Sequence, residues 1–371
     1  GTEWSRGVAL LTLAQGQVGS GELDAAQANI EEGLRLVGDE HRWPGYNPRG
    51  EASYYAGLIA LLKGDLGDAV ASFNRARTLA TRAGELLFVA LSHGFAGLAL
   101  AFRGAYPMAI ERLETGIGVS QRADLPLATH SCLACAAWVQ GMRGHYGTAL
   151  RLTDFASGGQ RVEFRDAHSI ALLARGDAFI GLQDAERALE AYQQALQVAG
   201  LSHVATVPTM RGIGLAYLHL GQAEQGIASL GNAVAFATFG KLRWFRAQAL
   251  RDLIRGRIQL EEEDALTDSI DGLFDLVEGS DYAEMVGWAY LLRGRSTGTS
   301  DDLERALEVG QSLGCLPLVW EAGEELAGVS TEGRAAAVSA IETIAEGLPA
   351  VHRQVFLKRE RVRSILRPNA P

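Results

Sequence analysis

Cysteine is scarce in this chain. There are three in 371 residues, Cys132, Cys135 and Cys315, which is too few for a disulfide framework and suits a reducing cytoplasm. Lysine is equally rare. Lys63, Lys241 and Lys358 are the full set, and none follows a Gly-x-x-x-x-Gly run, so no phosphate-cradling loop of that kind is present and nucleotide hydrolysis within this segment is not expected. The formal net charge of −10 argues against a surface dedicated to nucleic acid, which would be basic. No apolar run reaches the roughly 18–20 residues a membrane span needs, because each is cut by Arg, Asp, Gln or Gly. There is no basic-then-apolar leader either, so no membrane partner is expected. The chain opens on Gly1-Thr2 rather than on methionine, and reads as part of a longer polypeptide.

Proline is also sparse, at 9, whereas glycine is abundant, at 44, and recurs at a spacing. That combination fits short turns between closely packed helices. One pattern returns along the chain: GELDAA at Gly21, GDLGDA at Gly64, GAYPMA at Gly104, GHYGTA at Gly144, QDAERA at Gln183 and GQAEQG at Gly221, at intervals of 43, 40, 40, 39 and 38 residues. In each copy a helix A ends, and the glycine admits the left-handed backbone that such an end often needs. A neighbouring acid, where present, is placed to cap helix B and meet its dipole. A small residue follows (Ala26, Ala69, Ala109, Ala149, Ala188 or Gly226). A second small residue lies twelve positions earlier, at Ala14, Gly57, Gly97, Ala137, Gly176 and Gly214. A mid-helix glycine costs about 1 kcal/mol relative to alanine, so its recurrence predicts a close helix–helix contact. Four residues after the helix-B small residue comes an apolar one (Ile30, Phe73, Leu113, Tyr192 and Leu230), with Thr153 breaking the series. This spacing makes one buried stripe.

These residues resemble tetratricopeptide repeats. AGLIALLKGDLGDAVASFNRA (56–76) and GDAFIGLQDAERALEAYQQAL (176–196) show the likeness best, with Gly176, Phe179, Ala188, Tyr192 and Ala195 at the signature positions. The departure is a period near 40 instead of 34, which is similar to the C-terminal helical regions of large bacterial signalling ATPases and maltose-type transcriptional activators. A HEAT- or armadillo-type solenoid is the alternative at that period, but the turn motif and the helix-B alanine favour the tetratricopeptide type. The expected fold is therefore all-α: a right-handed α-α superhelix of about nine hairpins forming one solenoid over 1–371. Clear repeats cover 4–236 and degenerate ones 241–346, and a capping helix over 350–366 closes the apolar face of the last repeat.

Candidate chemistry is thin. Cys132 and Cys135 would share a helix face, but zinc needs about four ligands and no second pair is near, so they read as buried structural thiols. The acidic run Glu261, Glu262, Glu263 and Asp264 reads as a solvated turn. The basic end, with Arg353, Lys358, Arg359, Arg361, Arg363 and Arg367, reads as the solvated face of the cap. Trp43 and Tyr46, beside Pro44 and Pro48, read as a loop tucked over the first two hairpins. No Ser/His/Asp or Cys/His set assembles by motif, so no catalysis, metal or cofactor is expected.

In such a superhelix the A helices line the concave face. The repeat register aims Tyr54, Leu58, Leu61, Leu98, Ala101, Ala134, Trp138, Leu173, Asp177, Arg211, Leu215 and Leu218 inward, and His219 falls one position off the stripe. The expected groove is apolar in its first half, anchored by Tyr54, Leu58, Leu98 and Trp138, and polar in its second, with Asp177 and Arg211 near Leu218. Such a groove suits a protein or peptide partner. The resemblance implies an interaction and regulatory module of a larger cytoplasmic signalling or transcription regulator. A small-molecule effector on the same face is the second expectation.

Overall fold

The structure is a computed structural model that describes residues 2–38, 46–156, 165–199, 203–262 and 265–366. Trp43, Pro44, Glu263, Asp264 and Arg367 lie outside the described residues. Among the described residues twenty helices follow one another. They pair as hairpins α1/α2 (Glu3–Ser20, Leu23–Val37), α3/α4 (Pro48–Lys63, Leu66–Ala83), α5/α6 (Leu86–Phe102, Tyr106–Arg122), α7/α8 (Pro126–Met142, Tyr146–Ala156) and α9/α10 (Arg165–Gly181, Ala185–Ala199). The series continues with α11/α12 (His203–His219, Ala223–Phe239), α13/α14 (Arg243–Gln259, Leu266–Val277), α15/α16 (Ala283–Thr297, Ser300–Leu313) and α17/α18 (Leu316–Leu326, Thr331–Glu346). The architecture is an all-α superhelical solenoid of tetratricopeptide-like hairpins. Among the described residues no helix is long and apolar enough to cross a membrane.

The end of the chain departs from expectation. In place of one capping helix there are two, α19 (Ala350–Lys358) and α20 (Glu360–Leu366), broken at Arg359, whose ψ of 138° is extended. Arg353 is exposed, as expected, and its Nε also donates to the carbonyl of Ala345 at 2.7 Å and closes the C-terminus of α18.

Within each early hairpin the small-residue pairing has a direct steric cause. A Cβ at Gly57 would stand 2.7 Å from Phe73, one at Gly97 2.7 Å from Leu113, and one at Gly214 2.7 Å from Leu230. Glycine is there because the apolar residue of helix B fills the place of its side chain. The turn glycines Gly21, Gly64, Gly104, Gly144 and Gly221 all have φ between 75° and 87°, and Gln183 takes φ 56° in the same role. The acid after the glycine behaves less uniformly than expected. Glu22 and Asp65 occupy the cap position but make no capping hydrogen bond, whereas Asp184 Oδ1 accepts from the Arg187 amide at 3.4 Å. Asp65 instead pairs with Arg243 of α13.

That pairing belongs to a larger arrangement. The superhelix is tight enough to bring its late hairpins back against the turns of the early ones. The turn at Gly64 meets Arg243 and Trp244 at the start of α13 and accepts a hydrogen bond from Tyr282 Oη at 2.7 Å. The turn at Gly104 meets Ala283 and Leu313, and the turn at Gly144 meets Leu316 and Pro317 at the start of α17. The Leu316 amide donates to the Arg143 carbonyl at 3.2 Å. Arg103 pairs with Asp281 at 2.7 Å. Three successive turns thus seat three successive A helices one superhelical turn later.

Candidate functional site

The return of the late hairpins fills the first half of the expected groove. Trp244 stacks on Phe102 with ring centroids 4.9 Å apart, and Phe245 lies parallel to Trp138 at 6.5 Å. Tyr54 is buried among Tyr55, Phe73, Phe88 and Phe95, all with ring centroids within 5.9 Å of its own. Leu58 and Leu98 are core residues at 8% and 0% exposure. The expected apolar run of Tyr54, Leu58 and Leu98 is therefore not an open surface but part of the packed core.

The second half stays open as one cavity of about 640 Å³. Trp138, Asp177, Arg211, Leu215 and Leu218 from α7, α9 and α11 meet there, and His219 joins them although its register position is off the stripe. The facing wall comes from late helices: Gln248, Arg251 and Arg255 of α13, Glu284 and Trp288 of α15, Trp320 and Glu321 of α17, and Arg361 of α20. None of these late residues is part of the expected groove. A signal was available in α13, which carries the charged pair Arg251 and Asp252 and then Arg255 along a single helix A.

The cavity wall is held by interlocked charge pairs. Asp177 Oδ1 accepts from Tyr192 Oη and from Arg211 Nη2, both at 2.6 Å, and its Oδ2 accepts from Trp138 Nε1 at 3.1 Å. Arg211 reaches on to Asp252 at 3.3 Å. Asp252, fully buried, takes a two-pronged pair from Arg251 at 2.7 and 3.0 Å. Glu321 pairs with Arg255 and with Arg295, the latter at 2.9 Å. Arg295 continues to Glu325 at 2.6 Å, and Arg361 to Glu324 at 2.6 Å. Aromatic faces brace the cations: Arg251 and Arg255 lie over Trp288 at 5.1 and 4.8 Å, and Arg361 over Trp320 at 5.2 Å. Arg361, expected on a solvated face, is instead part of the cavity.

Burial opposes the charges of Asp252, Glu321 and Arg211, and their partners outweigh it, whereas at Arg255 burial prevails and lowers the guanidinium. Asp252 is held below the usual carboxylate range by Arg251 and Arg211, and Glu321 by Arg255, Arg295 and Arg361. Burial would also lower Arg211, but Asp177 and Asp252 leave it raised. At His219 the balance runs the other way: the residue is exposed toward the cavity, yet enclosure by protein, with Arg255 nearby, outweighs the opposing pull of Glu321 and Asp252 and brings its pKa to about 4. The ring is neutral at pH 7.

The cysteines are free and buried, and burial pushes the Cys132 thiol up to about 12. No metal-ligand cluster occurs among the described residues.

No protein-family model matches the sequence, and no curated protein sequence matches it. The similarity is one of fold. A Rap protein complexed with competence and sporulation factor superposes with a TM-score of 0.66 at 12% identity, covering 92% of this chain and 99% of that one. Aspartyl phosphate phosphatase F from Bacillus subtilis (TM-score 0.47, 10% identity, 96% and 95% coverage) is more distant. So is the Rap conjugation gene regulator of plasmid pLS20 in complex with the Phr* peptide (TM-score 0.43, 10% identity, 98% of each chain). Of these three, the first is close enough in backbone to establish a shared helical-repeat fold. The likeness to maltose-type activators finds no support among them.

Proposed function

We propose that this chain is a regulatory binding module, without catalysis of its own, that holds a short peptide in the cavity between its early and late hairpins. The observation that carries this reading is the wall itself: α7, α9 and α11 form one side and α13, α15, α17 and α20 the other. An occupant touches both sides, so its binding free energy bears on how firmly the late hairpins seat on the early turns. The titratable groups are spent on fixed pairs, which suits holding a shape better than moving a proton. The Rap protein of similar fold is complexed with competence and sporulation factor, and we extend a comparable binding role to this chain as part of a larger cytoplasmic signalling or transcription regulator.

A cavity of about 640 Å³ also falls within the range of ordinary small-ligand sites, so a small-molecule effector is the second reading. Thermal unfolding against pools of capped pentapeptides and against a metabolite panel separates them, since a ligand of the folded state raises the melting temperature. Peptide-induced shifts support the first reading, and shifts by metabolites alone support the second. If neither raises the melting temperature, the cavity is not a ligand site and both fail.

A further inference from the structure

One helix-A position is buried in every early repeat but the first. Five residues before the mid-helix small residue stand Ala52, Ser92, Cys132, Ala171 and Thr209, each at most 2% exposed. The position two after that small residue, from Ile59 in α3 to Ala216 in α11, is buried in the same repeats. Cys132 of α7 shows what covers the first of these positions. Its thiol reaches the Ala90 carbonyl of α5 at 3.4 Å. Its sulfur also stands 2.9 Å from where a Cβ would lie on Gly94 of α5, and 3.0 Å from one on Gly116 of α6. The position therefore packs into the hairpin before its own. In α1 the two positions are Ala9 and Gly16, and both are exposed. A Cβ on Gly16 would meet nothing within 4 Å. Thr12 and Leu13 extend the same face, and Leu13 is 53% exposed. A helical stack closes its ends with polar surface, yet after Arg6 the helix carries no charged residue as far as Ser20.

We infer that the outer face of α1 docks a second copy of this chain, face to face about a twofold axis. The face continues the interface by which each hairpin buries itself on the one before, so what fits it is a helical surface without charge. The other end of the stack is of a different kind. There α19 and α20 turn Phe356, Val362 and Ile365 inward and leave Arg353, Lys358 and Arg363 exposed. Seating that end on α1 would strip water from cations with no acid on α1 beyond Glu3 to receive them. The α1 face of another copy brings no such cost, and a self-complementary contact closes on itself as a dimer. At a net charge of −10, two copies repel over most of their surface and meet best where charge is lacking. The dimer is independent of the cavity and its occupant.

Eighteen residues of helix give a face about 27 Å long. That is at the small end of specific interfaces, so a Kd of about 1–100 μM is expected. Sedimentation equilibrium of the full chain from about 1 to 300 μM should show monomer passing to dimer. Ala9→Arg and Gly16→Arg should each raise the Kd more than about tenfold, with the melting temperature of dilute protein no lower. Val351→Arg, on the exposed surface of α19, should leave the dimer as it is. Cross-linking serves if the arginine variants fold poorly. The three native cysteines are buried, so a bis-maleimide should join Leu13→Cys chains in pairs and Val351→Cys chains far less. A monomer throughout this range overturns the inference and leaves the face to another partner. A dimer that survives both arginine substitutions, or one that Val351→Arg dissolves, overturns it as well, since the contact then lies elsewhere. Species that keep growing with concentration would mean a head-to-tail contact and overturn the twofold pairing.

Discussion

Tyr106 and Glu284 are 178 residues apart in sequence, yet the Tyr106 hydroxyl donates to the Glu284 carboxylate in the buried interior of the superhelix. Glu284 also accepts from Trp288 Nε1 at 2.9 Å. Tyr106 opens α6 just after the Gly104 turn, and Glu284 lies near the start of α15, so this bond ties an early turn to a late hairpin.

Removing the hydroxyl with Tyr106→Phe leaves a buried carboxylate short of a donor. A loss of about 1–3 kcal/mol in unfolding free energy is expected. A double-mutant cycle with Glu284→Ala in urea denaturation should return a coupling above about 1 kcal/mol. Additive single-variant losses would mean that the two helices do not depend on each other across the seam.

Gly64 and Gly221 separate the two duties of the turn glycine. Both are left-handed, at φ 84° and 75°. A Cβ at Gly221 meets nothing within 4 Å, while one at Gly64 collides with Tyr282 Oη and crowds the Trp244 amide. Gly221→Ala should cost only the strain of the backbone, about 1–2 kcal/mol. Gly64→Ala carries the same strain and also displaces α13. It should lose measurably more and raise hydrogen exchange at the start of α13. Equal losses would show that the Gly64 turn does not support the late hairpins.

The features legible in the sequence are those set by nearby residues. Gly57 meets Phe73, and Gly214 meets Leu230, within single hairpins, so the spacing of a small and a large apolar residue was enough to find them. Trp138 and Asp177, one repeat apart in the register, share a hydrogen bond at 3.1 Å. Tyr54 fits the register of an open groove, but the aromatic side chains of α3, α4 and α5 close over it, and the residues that cover Phe102 and Trp138 belong to hairpins far along the chain. How far the superhelix closes depends on small rotations added over many repeats, and no local motif encodes their sum. Arg361 was missed for a similar reason. The break at Arg359 turns its helix toward Glu324 and Trp320, and a run of basic residues looks the same whether one of them turns inward or none does.

Trp138 illustrates the difference between a binding anchor and a structural one. Its ring is 1% exposed, edge-on to Phe102 and parallel to Phe245. Trp138→Ala should therefore cost about 3–5 kcal/mol of stability and would confound any binding assay. Trp138→Phe keeps most of the packing but deletes the indole N–H to Asp177, and should cost about 1–2 kcal/mol. Urea denaturation of both variants tests this. A stable alanine variant would return Trp138 to the role of an exposed anchor.

The histidines give the molecule a slope in mild acid. His93 is buried in α5, and burial, with Arg112 and Arg77 adding to it, lowers its pKa to about 4. His219 is lowered to about 4 by enclosure and then by Arg255. In the unfolded chain both titrate near 6.5. Between these values the unfolded state binds protons that the folded state does not, so stability falls as pH drops from about 6.5 toward 4. Above that window the histidines add no pH dependence. Asp252 and Glu321, held below the usual carboxylate range, lose their contribution only as pH falls below about 4; His145 and His168, also lowered by burial, add to the decline above that, and Glu51, raised by burial, opposes it. His93 and His219 can each contribute a slope of up to about 1.4 kcal/mol per pH unit, reduced for His219 because water in the cavity screens it. Urea denaturation at pH 7, 6 and 5 should show the decline, and His93→Gln should remove the larger share of it. A flat profile over this interval would mean that His93 accepts its proton in place, without disturbing the packing of α5 against α6.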